Sequence, residues 1–121
     1  MESKTVLFVE DAPDLISLYR LAFRGKPYPT RFATRGEQAL QQIKEDPNIG
    51  LVLLDLTLPD MDGQEVLASI REQNLPLQVV VMSGWDDLKE KARRMGADGH
   101  IRKPVTIPDL ETAVDKLLAG L

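Results

Sequence analysis

Leu51-Val52-Leu53-Leu54 is apolar without a break and stops at Asp55. A strand with one wet face alternates apolar and polar residues. An unbroken short run suits a strand covered on both faces. Val6-Leu7-Phe8-Val9 and Val79-Val80-Val81-Met82 repeat the pattern. Several such runs in one chain require a parallel sheet with helices packed on both sides.

The segments between the runs supply those helices. Pro13 suits a first helical turn, and Leu15, Leu18, Tyr19 and Ala22 predict the inward face of a helix over 14–23. Gly25, Pro27 and Pro29 end it, and Thr30–Ala33 reads as a weaker strand. Further helices are expected over 37–45, 64–72, from Asp86-Asp87 to about Met95, and over 108–118. Ala39, Leu40 and Ile43 point inward on the second, and Val66, Leu67 and Ile70 on the third. The last helix turns Leu110, Val114, Leu117 and Leu118 to the core. The remaining strand is short, over 100–102. Five strands alternate with five helices in one doubly wound α/β sandwich, and the connections leave no room for a second domain.

Composition narrows the function. There is no cysteine, which removes thiolate metal sites and disulfide frameworks. A net charge of -4 and only six aromatic residues other than histidine argue against direct nucleic-acid binding. The start, Met1-Glu2-Ser3-Lys4, carries no apolar targeting segment, and no run approaches a membrane span. A cytoplasmic, soluble domain is the expectation.

The strand ends carry the chemistry. Glu10-Asp11, Asp55, Ser83 and Lys103-Pro104 each close a strand, and in a parallel sheet those ends meet along one edge. Three carboxylates that close repel one another and call for a hard cation with oxygen ligands. Mg2+ fits, since it needs few carboxylates and keeps water; the EF-hand loop that Ca2+ would use is missing. Asp11 would hold the cation directly, Glu10 through water, and the main-chain carbonyl of Thr57 could add a ligand. Asp55 is the best nucleophile toward phosphorus. Ser83 and Lys103 would contact a bound phosphoryl group. Alone, Ser83 reads as a cap or turn residue and Lys103 as a surface charge. Pro104 biases Lys103 toward extended backbone, aimed at the site, and permits a cis bond. His100 is the only histidine and lies in the edge strand, so no serine-histidine-acid set is expected.

The ordered pieces Val9-Glu10-Asp11, Leu53 through Gly63, Met82-Ser83-Gly84 and Gly96 through Pro104 resemble the receiver domain of two-component response regulators. The resemblance runs from Val6 to Leu118. It implies a sheet in the order 2-1-3-4-5 and Mg2+-dependent transfer of a phosphoryl group to Asp55. The donor would be a phosphohistidine of a histidine kinase or histidine phosphotransfer protein. Output would pass through the fourth helix, fifth strand and fifth helix, with Ser83, His100 and Lys103 as switch residues. His100 stands where relatives carry Tyr or Phe, so coupling there is either weakened or pH-sensitive, or the residue is simply an edge-strand surface histidine. Thr57 lies where the resemblance implies control of water access, hence of phosphoryl lifetime. The stretch from Ser83 to Gly96 is about two residues shorter than in many relatives, and Trp85 within it either anchors the loop or meets a partner.

Residues 4–119 are expected to form one receiver unit with no output domain in the chain. The output would be a linked or separate domain, and a weak homodimer stays open. A stand-alone receiver and one excised from a longer protein both stay open, and the ending Leu117-Leu118-Ala119-Gly120-Leu121 mildly favours the second. Two rival readings are an inactive receiver serving as an interaction module and a haloacid-dehalogenase-type hydrolase. The latter needs an aspartate where Thr57 stands.

Overall fold

The unbroken apolar runs become the middle of a parallel sheet. The computed structural model describes residues 3–121; Met1 and Glu2, part of the start read above as carrying no apolar targeting segment, lie outside them. In chain order the elements are β1 (Thr5–Val9), α1 (Pro13–Phe23), β2 (Thr30–Ala33), α2 (Gly36–Glu45) and β3 (Ile49–Asp55). They continue with α3 (Gly63–Glu72), β4 (Gln78–Ser83), α4 (Leu88–Arg94), β5 (Gly99–Arg102) and α5 (Ile107–Ala119). The five strands lie in the order β2-β1-β3-β4-β5, all parallel. This is the expected doubly wound α/β sandwich with the order 2-1-3-4-5, a flavodoxin-like fold.

Burial explains the patterns. Every residue of β1 and β3 is buried, as unbroken apolar runs require. Leu7, Val9, Val52, Leu54, Val79 and Val81 face α2, α3 and α4 on one side of the sheet. Val6, Phe8, Leu51, Leu53, Val80 and Met82 face α1 and α5 on the other. Each strand thus feeds two cores by its period-two alternation. The edge strand β5 is different. Gly99 and Ile101 are half-buried, while His100 and Arg102 are exposed.

One expected face is rotated. α1 buries Ile16, Tyr19 and Phe23, and Leu18 is 43% exposed. The aromatic rings decide it: Phe8 packs on Tyr19 at 5.3 Å and on Phe23 at 5.0 Å between ring centroids. Two rings remove more apolar surface from water than one leucine does, so the helix turns them inward. Phe23 ends α1 and had no place in the periodic set. Smaller differences concern ends. β3 runs over Ile49–Asp55, longer than the apolar core of the run, and α4 stops at Arg94. Gly96, with φ of 81°, turns the chain out of α4 at low steric cost.

Candidate functional site

Parallel register carries the chemical residues to one edge. Val9 pairs with Leu54, Asp55 with Met82, and Ser83 with Arg102. The residues at or just past those positions are Glu10-Asp11, Asp55, Ser83 and Lys103. Carboxylate oxygens of Glu10, Asp11 and Asp55 lie within 4.8 Å of one another. Glu10 is 3% exposed and Asp55 7%, whereas Asp11 is exposed.

The ammonium of Lys103 bridges two of the three. Its Nζ donates to Glu10 Oε1 at 2.7 Å and to Asp55 Oδ2 at 3.1 Å. The other oxygen of Asp55 accepts the Thr57 N–H at 3.0 Å, and Glu10 Oε2 accepts from Ala12 N–H at 3.3 Å. Both oxygens of each buried carboxylate are therefore held. The main chain of Lys103 is fixed too, since its N–H donates to the Ser83 carbonyl at 2.8 Å. The Lys103–Pro104 bond is cis.

Electrostatics follow from this packing. Burial pushes the Glu10 carboxyl above its ordinary range; Lys103 opposes that and Asp55 adds to it. For Lys103, burial works against the charge. The hydrogen bond to Glu10 and the charges of Asp55 and Glu10 outweigh it, so the ammonium stays above its usual range. Three carboxylates against one ammonium leave the cluster short of positive charge. Hard oxygen donors, close together and only partly compensated, are a donor set suited to a small divalent cation.

The other residues named from the sequence fall around this centre. Ser83 is 4% exposed at the end of β4, and its Oγ accepts the Trp85 N–H at 3.1 Å. The Thr57 side chain is exposed beside Asp55. The His100 side chain is exposed on β5 and makes no hydrogen bond or ion pair among the described residues. Trp85 is half-buried against the core under α4, and Lys91 Nζ sits 4.4 Å above its ring.

Two residues were not singled out from the sequence. Tyr19 was assigned to the core alone, yet it lines a cavity of about 430 Å³ with Leu15, Gly84, Lys103, Pro104 and Val105. Burial raises its phenol, and the charges of Lys103, Glu10 and Asp55 reach it. Asp60 reaches from the loop after β3 to the start of α2, where it accepts N–H bonds from Gly36 at 2.7 Å and Glu37 at 3.0 Å. Arg35, the residue before α2, caps nothing, so the cap comes from another loop. No local pattern shows that pairing, because the partners are distant in sequence.

Among the described residues no helix is long and apolar enough to cross a membrane. Known proteins share this fold. Residues 6–115 match the family model for the response regulator receiver domain. Sporulation initiation phosphotransferase F of Bacillus subtilis is 33% identical over 121 residues, which cover 98% of this chain and 96% of that protein. Transcriptional regulatory protein BasR of Escherichia coli is 34% identical over 115 residues, 93% of this chain but 51% of BasR. The chain thus spans nearly all of one relative and about half of the other. The solved receiver domain protein (CheY-like) of Methanospirillum hungatei superposes with a TM-score of 0.87 at 25% identity, covering 98% and 96% of the two chains. The receiver domain of Francisella response regulator 1452 gives 0.87 at 26% identity, covering 96% and 97%. With model, relatives and fold in agreement over almost its whole length, the chain belongs to the response regulator receiver domain family, whose members undergo Mg2+-dependent self-phosphorylation and self-dephosphorylation and are not turnover enzymes.

Proposed function

We propose that the chain accepts a phosphoryl group on Asp55 from a phosphohistidine donor and changes its surface in response. The observation that carries this reading is the buried Asp55 carboxylate, close to two further carboxylates and bonded to Lys103. An Asp55 oxygen attacks phosphorus; the N–P bond of the donor breaks and the imidazole leaves with the electron pair. Lys103, 3.1 Å from Asp55, is placed to meet the phosphoryl oxygens after its carboxylate partner is esterified. Ser83 would donate its hydroxyl proton to the same group.

Glu10, Asp11, Asp55 and the Thr57 carbonyl are the residues that would hold Mg2+. When bound, the cation supplies positive charge that offsets the carboxylates and the phosphoryl oxygens. Thr57, exposed beside Asp55, is placed to tune water access and so the lifetime of the acyl phosphate. The donor would be a histidine kinase or a histidine phosphotransfer protein. The functional unit would run over residues 4–119 and act on a linked or separate output domain.

The test is a small phosphodonor, such as acetyl phosphate, with Mg2+. One equivalent of phosphate should appear, labile in strong acid and in base, and Asp55→Asn should not acquire it. Equal labelling of Asp55→Asn, or no labelling of the folded parent, would refute the assignment.

A further inference from the structure

The loop between β3 and α3 is held by side chains. From Thr57 to Met61 the main chain makes no main-chain hydrogen bond among the described residues. Two contacts tie this stretch to the start of α2. Asp60 accepts the Gly36 N–H through Oδ1 at 2.7 Å and the Glu37 N–H through Oδ2 at 3.0 Å. Met61 lies against Gly36, where a built Cβ would come 2.6 Å from its Sδ. The amides of Glu37 and Gly36 hold the Asp60 carboxyl below its ordinary range, so both oxygens stay acceptors at neutral pH. The residue before α2 is Arg35, whose exposed side chain carries only donors and caps nothing. Helix start and loop are thus each completed by the other.

Thr57 lies three residues before Asp60 on that loop. Its carbonyl accepts no hydrogen bond among the described residues, so no such bond fixes that oxygen. Resting on the cation site proposed above, we infer that Asp60 is a positioning residue for the cation: by capping α2 it holds the loop in the form from which the Thr57 carbonyl can join Glu10, Asp11 and Asp55 around Mg2+. A loop that must be ordered at the moment of binding charges its lost conformational freedom against affinity. The bonds from Gly36 and Glu37 do that ordering beforehand. Coupling of this kind is reciprocal, so a cation that fixes the loop must also favour the cap. The role is distinct from stabilising α2, and the uncapped position at Arg35 allows the two to be separated.

The test is a titration with Mg2+ alone, read from the amide shifts of Glu10, Asp11 and Asp55. In Asp60→Ala the dissociation constant should rise about ten-fold, equivalent to about 1.4 kcal/mol. Asp60→Asn drops the charge but keeps one acceptor oxygen, and should fall between the parent and Asp60→Ala. The double variant Arg35→Ser/Asp60→Ala gives α2 a cap of its own. Its thermal midpoint should recover while its Mg2+ affinity stays weak. In the parent, Mg2+ should also slow hydrogen exchange at Gly36 and Glu37; in the double variant it should not. Recovery of affinity together with the midpoint in the double variant would reduce Asp60 to a helix cap and overturn the inference. Equal weakening in Asp60→Asn and Asp60→Ala would assign the effect to charge and overturn it too, as would parent-like binding in Asp60→Ala. A parent that binds no Mg2+ would refute the cation site itself, and the inference with it.

Discussion

Gly63→Ala should loosen the domain and slow chemistry at Asp55 together. A methyl added at Gly63 would sit 2.7 Å from Leu56 Cα, 2.8 Å from Leu56 Cδ2 and 3.2 Å from the Asp55 carbonyl. The nearest atom is main chain, one residue past Asp55, so relief must move the loop that leaves β3. Overpacking of this kind costs about 1–3 kcal/mol. Alanine would return less than about 1 kcal/mol of helix propensity, because Gly63 is the first residue of α3. A net loss of about 1–2 kcal/mol remains. At about 2.1 cal/mol/K of unfolding entropy per residue, a chain of 121 residues should melt roughly 4–8 °C lower. Two companion variants separate space from backbone freedom. Gly25 has nothing within 4 Å of a built Cβ, so Gly25→Ala should hold or gain about 0.4–1 kcal/mol. Gly96→Ala meets no atom either but lies at φ of 81°, so it should lose about 1–2 kcal/mol through backbone strain alone. Thermal unfolding followed by circular dichroism ranks all three, and acetyl phosphate labelling reads Asp55. A Gly63→Ala protein that melts at or above the parent would refute the close-contact reasoning.

Asp60→Ala should free the amides of Gly36 and Glu37, lower the thermal midpoint and speed hydrogen exchange in the first turn of α2; unchanged exchange would mean the cap does not persist in solution. Tyr28→Phe should raise the titration midpoint of Asp115. The Tyr28 hydroxyl at 2.8 Å, then Lys26 at 3.1 Å, hold that carboxyl below its ordinary range. A carboxyl lowered in the folded state adds stability above its ordinary pKa and loses it as pH falls through the lowered one. Acid should therefore weaken the parent more than Tyr28→Phe below about pH 4, and a carboxyl NMR titration with no shift would show that the hydroxyl is irrelevant. In Lys103→Met, Glu10 and Asp55 lose the ammonium that competes with a cation. Mg2+ should then raise the thermal midpoint more than it does in the parent, and equal increments would rule that competition out.

The apolar runs at 6–9, 51–54 and 79–82 by themselves determined the sheet, its parallel sense and its two helical layers. They could do so because burial on both faces removes the polar alternation, a signal confined to a few neighbouring residues. The same runs end on Asp55, Ser83 and Glu10-Asp11, so the edge where these side chains gather was legible as soon as the strands were parallel. The Lys103-Pro104 step was legible for a similar local reason, the restriction that proline places on the residue before it. What no window of sequence contained was the choice among competing partners. The face of α1 turned when Tyr19 and Phe23 met Phe8, and Leu18 was left outside. Asp60 found the amides of α2, and Tyr28 found Asp115, across long stretches of chain. Trp85 packed under α4 and joined Ser83, while His100 stayed on the open side of the edge strand. Each of these depends on which surfaces are brought within reach after the sheet closes, and packing and hydrogen-bond energies between distant residues exist only in that assembled state.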